Sequence, residues 1–115
     1  MTLRSYSGLI LALTVALSGC GSALSEAVSD YEAGRTTHAL RRLRSMPQAE
    51  WGSPGGARYS LYRGLAHLTL GDVVSAERWL LSLKHRVERE PQLLSSLDQS
   101  RLVSALGAMG HLPGD

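Results

Sequence analysis

Apolar positions recur along this chain with the three- and four-residue spacing of helices that bury one face. The clearest case is residues 55–87, GGARYSLYRGLAHLTLGDVVSAERWLLSLKHRV. Its first half places Ala57, Leu61, Gly64, Leu65 and Leu68 on one helical face, and its second half does the same with Val73, Ala76, Leu80, Leu83 and Val87. A strand needs period two, which neither half shows. Gly71 between them suits the left-handed turn that ends a helix, and Asp72 suits the cap of the next.

The same period continues on both sides. Residues 22–33 carry Leu24, Ala27, Val28 and Tyr31 on one face and close at Gly34. Thr36 or Thr37 is expected to cap a second helix with Ala39, Leu40, Leu43 and Met46 buried, which Pro47 stops. Residues 48–56 are rich in Gly and Pro, lack periodicity and read as a loop. Beyond Pro91 a looser fifth helix runs to about Met109, with Leu94, Leu97, Leu102, Ala105 and Leu106 on one side. Asp98 interrupts that apolar sector, and Gly110 and Pro113 end the helix. The expected class is all-α, about five helices in antiparallel pairs. An abundance of Leu and Ala with no Phe agrees with it.

Gly34 and Gly71 stand 37 residues apart, and the same offset lays Tyr31 on Leu68, Ala39 on Ala76 and Leu43 on Leu80. Such self-similarity is the mark of stacked helical repeats. Gly64 has no side chain, so Ala76 is expected to approach it closely where the two helices cross, with Ala27 and Ala39 serving the first copy. With Gly64, Gly71, Ala76 and Leu80 in place, the second copy resembles a tetratricopeptide repeat. The resemblance implies a short tetratricopeptide-like array with a C-terminal capping helix, and a concave surface lined by the first helix of each pair. Arg58, Tyr62 and Thr69 fall on the flank of the core face of that helix, and Glu32 comes from the first copy. These four are the candidate partner-binding residues, and packing of Arg58 and Tyr62 on a neighbouring helix is the alternative. The chain departs from the family at His67, where an aromatic is usual, at Leu83, where Ala is usual, and in the late proline, Pro91. It also lacks the paired basic residues with asparagine that clamp a C-terminal carboxylate in some relatives, so that ligand is not implied.

The N-terminus is an address. Arg4 is the only charge in the first 25 residues, and residues 8–17 are an apolar run too short to cross a hydrocarbon core of roughly 30 Å. Basic start, short apolar middle and small residues describe a secretory signal. Leu17, Ser18 and Gly19 then precede Cys20, the one cysteine of the chain. This resembles the lipobox of bacterial lipoproteins, in which the cysteine thiol receives a diacylglyceryl group and cleavage makes it the mature N-terminus. The resemblance covers about the first 20 residues and makes Cys20 the lipidation site. Gly21 replaces the aspartate that retains such proteins in the inner membrane, which implies the outer membrane. A buried free thiol behind an ordinary signal is the alternative. With one cysteine no intrachain disulfide can form.

Catalytic patterns are missing from the sequence. His38, His67, His85 and His111 form no paired motif on one helix, so no metal is expected. No G-x-S-x-G elbow or phosphate loop occurs, and an enzyme, a cofactor and a small-molecule substrate are not expected. A net charge of +2 gives no argument for nucleic acid. Arg35, Arg41, Arg42, Arg44, Arg58 and Arg63 do cluster, opposed over that stretch only by Glu50. They read either as a solvated helix face or as a contact for anionic lipid or an acidic partner.

The chain thus divides into a signal over 1–19, a lipid-anchored first helix pair over 20–47, a loop over 48–56, a second pair over 57–88, a capping helix over 91–109 and a tail over 110–115. The function expected is a lipid-anchored interaction or scaffold protein at the periplasmic face of the outer membrane, holding another envelope protein. A pilotin-like chaperone for a secretion or pilus component, and a structural lipoprotein without a discrete ligand, are the alternatives.

Overall fold

The computed structural model describes residues 23–47 and 56–111. The signal, Cys20, residues 48–55 of the expected loop and the last four residues lie outside them. Helix α1 covers residues 23–32, and α2 is Thr36–Ser45. Helix α3 is Gly56–Thr69, so Gly56 belongs to the helix rather than to the loop. Helix α4 is Val73–Arg89, a 3-10 turn occupies Pro91–Leu93, and α5 is Ser96–Ala108. The described part of the protein is all-α, with two packed helix pairs and a fifth helix resting on both α3 and α4.

The turns between paired helices repeat in geometry as well as in sequence. Gly34 and Gly71 both take positive φ, 84° and 85°. In the first turn Gly34 N–H donates to Tyr31 O at 3.1 Å and Arg35 N–H to Asp30 O at 2.8 Å. In the second, Gly71 N–H donates to Leu68 O at 3.0 Å and Asp72 N–H to His67 O at 2.9 Å. Both satisfy the last carbonyls of a helix through a left-handed residue. The cap of α4 is as expected, Asp72 accepting from Ser75 N–H at 3.2 Å. The cap of α2 is not. Helix α2 begins at Thr36 itself, and Arg35 in the cap position makes no side-chain bond to the helix. Its guanidinium turns back to Asp30 at 3.0 Å instead. The 37-residue equivalent is His67 on Asp72, 3.4 Å apart, with the basic and acidic side chains in exchanged positions.

Helix α3 is the centre of the molecule. Of its predicted face Ala57, Leu61, Gly64 and Leu65 are buried and Leu68 is partly so, but Tyr59, Ser60, Tyr62, Ala66 and His67 are buried too, because α2, α4 and α5 pack on different sides of it. Tyr59 fixes α2, its hydroxyl donating to Leu43 O at 2.9 Å, and its ring meets Trp79 of α4 edge-on at 5.8 Å. Leu43, Leu61, Leu80 and Leu83 are fully shielded, each stabilising the fold by roughly 1.5–3 kcal/mol. Gly64 does lie at the α3–α4 crossing, and the side chain nearest the space it leaves is that of Leu80. Two seam assignments fail: Val73 and Leu97 face solvent, at the N-terminal turns of α4 and α5.

His67 is the interior's one buried imidazole among the described residues. Burial first, then the nearby Arg63 guanidinium, holds its pKa below the ordinary 6.5, while Asp72 opposes the shift. A base with a lowered folded-state pKa is neutral in the fold while the unfolded chain takes up a proton. Stability is therefore full above the unfolded value and declines as pH falls from there toward the folded value. Urea midpoints measured from pH 8 to pH 5.5 should fall at the acid end. His67→Gln should flatten that dependence.

Candidate binding groove

A groove of about 680 Å³ runs between α1, α3 and α5. Leu65, Leu68 and Ala105 supply apolar surface, Tyr31 and Glu32 come from α1, and Thr69, Ser100 and Ser104 add hydroxyls. Helix α4 contributes nothing to it, and α2 only Thr36 of its first turn. The first helices of the two pairs and the fifth helix thus line one surface together.

A polar network lies at the side of this groove and joins its three helices. Asp98 is buried, and its carboxylate accepts from Arg58 Nε at 3.1 Å and from the Tyr62 hydroxyl at 3.0 Å. Arg101 donates to the same Tyr62 oxygen and to Glu32 of α1 at 3.0 Å. The Arg58 and Arg101 guanidinium carbons lie 5.4 Å and 5.7 Å from the centroid of the Tyr62 ring, and Tyr31 meets that ring edge-on at 5.7 Å. Burial, reinforced by the bond to Asp98, raises the Tyr62 pKa above its ordinary 10.0, so the phenol stays protonated and can donate. Glu32 raises the pKa of Arg101. Helix α5 itself starts from Ser95, whose hydroxyl accepts from Asp98 N–H at 3.2 Å.

The four residues singled out in the sequence divide accordingly. Glu32 and Thr69 line the groove. Tyr62 does not: with no exposed surface it is a core residue. Arg58 is likewise drawn to Asp98, across to α5, so for these two the packing alternative describes their place. The Thr69 hydroxyl donates to Leu65 O at 2.9 Å and keeps its lone pairs for a ligand. Sequence reading did not select Tyr31, Ser100, Arg101 or Ser104. Asp98 carried a signal, a carboxylate within an apolar sector, whereas Arg101 pairs with a residue 69 positions away and carried none.

Comparison with protein-family models, curated proteins and solved structures gives no match. The site must therefore be read from its chemistry. Among the described residues its charged groups, Glu32 and Arg101, are partners of each other, and the rest of the surface is aliphatic, aromatic and hydroxylic. Such a surface can hold a chain by apolar contact and by hydrogen bonds to its backbone. Among the described residues no group of three His, Cys, Asp or Glu side chains could hold a metal, and no helix is long and apolar enough to cross a membrane.

Proposed function

We propose that this chain is a lipid-anchored envelope protein whose α1–α3–α5 groove holds an extended segment of another envelope protein. The observation that carries the reading is the shared surface of the two first helices and α5, open to solvent and floored by Leu65 and Leu68. The resemblance of Gly64, Gly71, Ala76 and Leu80 to a tetratricopeptide repeat supports it, since that family holds peptides on the corresponding surface. The lipobox-like Leu17 to Cys20 supports the anchor. Two residues, Gly21 and Ser22, separate Cys20 from residue 23, the first described residue of α1, so three steps of about 3.5 Å put the helix within roughly 10 Å of the lipid attachment. Gly21 supports the outer membrane, again through the lipoprotein resemblance.

The groove is tested by placing a photo-crosslinking residue at Ser104, and at Ser82 on the exposed side of α4 as a control. The expected result is one envelope protein crosslinked from 104 and not from 82, with the adduct lost in Leu68→Arg. A secretin subunit as that protein would favour the chaperone form of the function. Equal adducts from both positions, or none from 104, would remove the groove from the account.

A further inference from the structure

The face made by α2 and the start of α4 has a chemistry of its own. Helix α2, TTHALRRLRS, contains no carboxylate. Arg35 and Arg42 are engaged by Asp30, with Glu26 also on Arg42, and Arg58 by Asp98. Arg63 lies over the Trp79 ring at 4.8 Å. Arg41 and Arg44 remain exposed, with no carboxylate in salt-bridge range among the described residues. They share a cleft of about 420 Å³ with Leu70. Leu70 is 48% exposed, and just across the Gly71 turn Val73 is 44% and Val74 71% exposed. Arg78, one helical turn beyond Val74, is exposed and likewise without an ion-pair partner among the described residues. Asp72 is the one carboxylate at this turn; it is occupied by Ser75 N–H and His67, and Arg44, in the same cleft, helps to hold its pKa below the ordinary 3.8.

We propose that this surface is a second membrane contact, Arg41, Arg44 and Arg78 binding anionic lipid headgroups while Leu70 and Val74 enter the top of the acyl region. Charge complementarity selects the occupant: among the described residues three guanidiniums against a single engaged carboxylate favour a layer of phosphates. The exposed aliphatic tip separates a bilayer from nucleic acid, which offers such side chains no apolar medium. A hydrophobic patch beside basic residues is the usual second signal that adds to a lipid chain in fixing a protein at a membrane. This surface includes no residue of the α1–α3–α5 groove, so both can be used at once. The inference draws on the reading of Cys20 only for holding the domain near the bilayer.

The test uses the full chain carrying Val74→Cys, labelled with an environment-sensitive fluorophore, in vesicles containing spin-labelled lipid. One set of vesicles is phosphatidylcholine alone, and the other contains about one-quarter phosphatidylglycerol as the anionic lipid. The acylated protein, its modification checked by mass, is measured beside the same chain with Cys20→Ser. Failure of acylation is then seen in the mass, separately from failure of the contact. The expected result is quenching at position 74 several-fold stronger with the anionic lipid, weakened by high salt, and lost in Arg41→Glu/Arg44→Glu/Arg78→Glu. These arginines are exposed and form no salt bridge among the described residues, so helicity should persist in that variant; should it not, the salt dependence of the unsubstituted arginine surface decides. Equal quenching in both lipids, or none in either, overturns the proposal and leaves the surface to an acidic protein or to solvent.

Discussion

Gly64→Ala is expected to destabilise the protein, against the usual trend for a glycine inside a helix. Replacing an interior helical glycine by alanine normally stabilises by up to about 1 kcal/mol. At Gly64 the added Cβ would lie 2.4 Å from Leu80 Cδ2 and 2.5 Å from Leu80 Cγ. Leu80 is fully shielded and sits on the seam of α4, so its branch point cannot swing aside without moving the helix. Overpacking of this kind costs about 1–3 kcal/mol, and Gly64→Leu should cost more. For a domain of this size each kcal/mol moves the melting temperature by roughly 4–8 °C. Gly107, also helical and with nothing within 4 Å of an added Cβ, is the internal control: Gly107→Ala should leave the melting temperature unchanged or raise it. Thermal melts of the two variants should therefore move apart. In a double-mutant cycle, Leu80→Ala should lessen the penalty of Gly64→Ala, because the two changes share one space. A Gly64→Ala protein as stable as its parent would mean that the α3–α4 crossing is looser than described.

Loss of the Asp98 carboxylate should have the next largest effect. Asp98→Ala leaves the buried Tyr62 hydroxyl without its acceptor and frees the Arg58 guanidinium, whose side chain is 42% exposed and can regain water. Stranding a buried polar group costs about 1–3 kcal/mol. An acid in the first turn of α5 also complements the helix dipole, adding about 0.3–1 kcal/mol. The sum points to a loss of about 1–4 kcal/mol, with Tyr62→Phe, which keeps the ring, costing about 1 kcal/mol. Because the network reaches α1 through Arg101 and Glu32, hydrogen exchange should show α5 losing protection first in Asp98→Ala. An unchanged urea midpoint would show that the network contributes nothing to the seating of α5.

The repeat was legible because it is local. Periodicity gave the seam of Ala76, Leu80 and Leu83, and the two glycine turns gave the breaks. The 37-residue offset carries through to the helix starts, Thr36 and Val73. The all-round burial of α3 was not legible, because an amphipathic pattern reports one buried face and this helix has neighbours on several. Nor could spacing tell that Leu80 would come nearest to Gly64, since that depends on the crossing geometry of the two helices. Val73 and Leu97 fit their patterns but stand exposed at the first turns of their helices. The site was half legible: Glu32 and Thr69 reach the groove because the first helices do line one surface. Arg58 and Tyr62 left it because Asp98, 40 and 36 positions away, draws them to α5.

Everything proposed about location rests on Cys20, and the mass of the mature N-terminal peptide tests it directly. Purified from membranes of an expressing bacterium, the chain is predicted to begin at Cys20 and to carry a diacylglyceryl group on its sulfur. Cys20→Ala should lack that mass and accumulate with residues 1–19 still attached. A mature N-terminus elsewhere, or a free thiol at Cys20 in the membrane-associated protein, would contradict the lipid-anchored account.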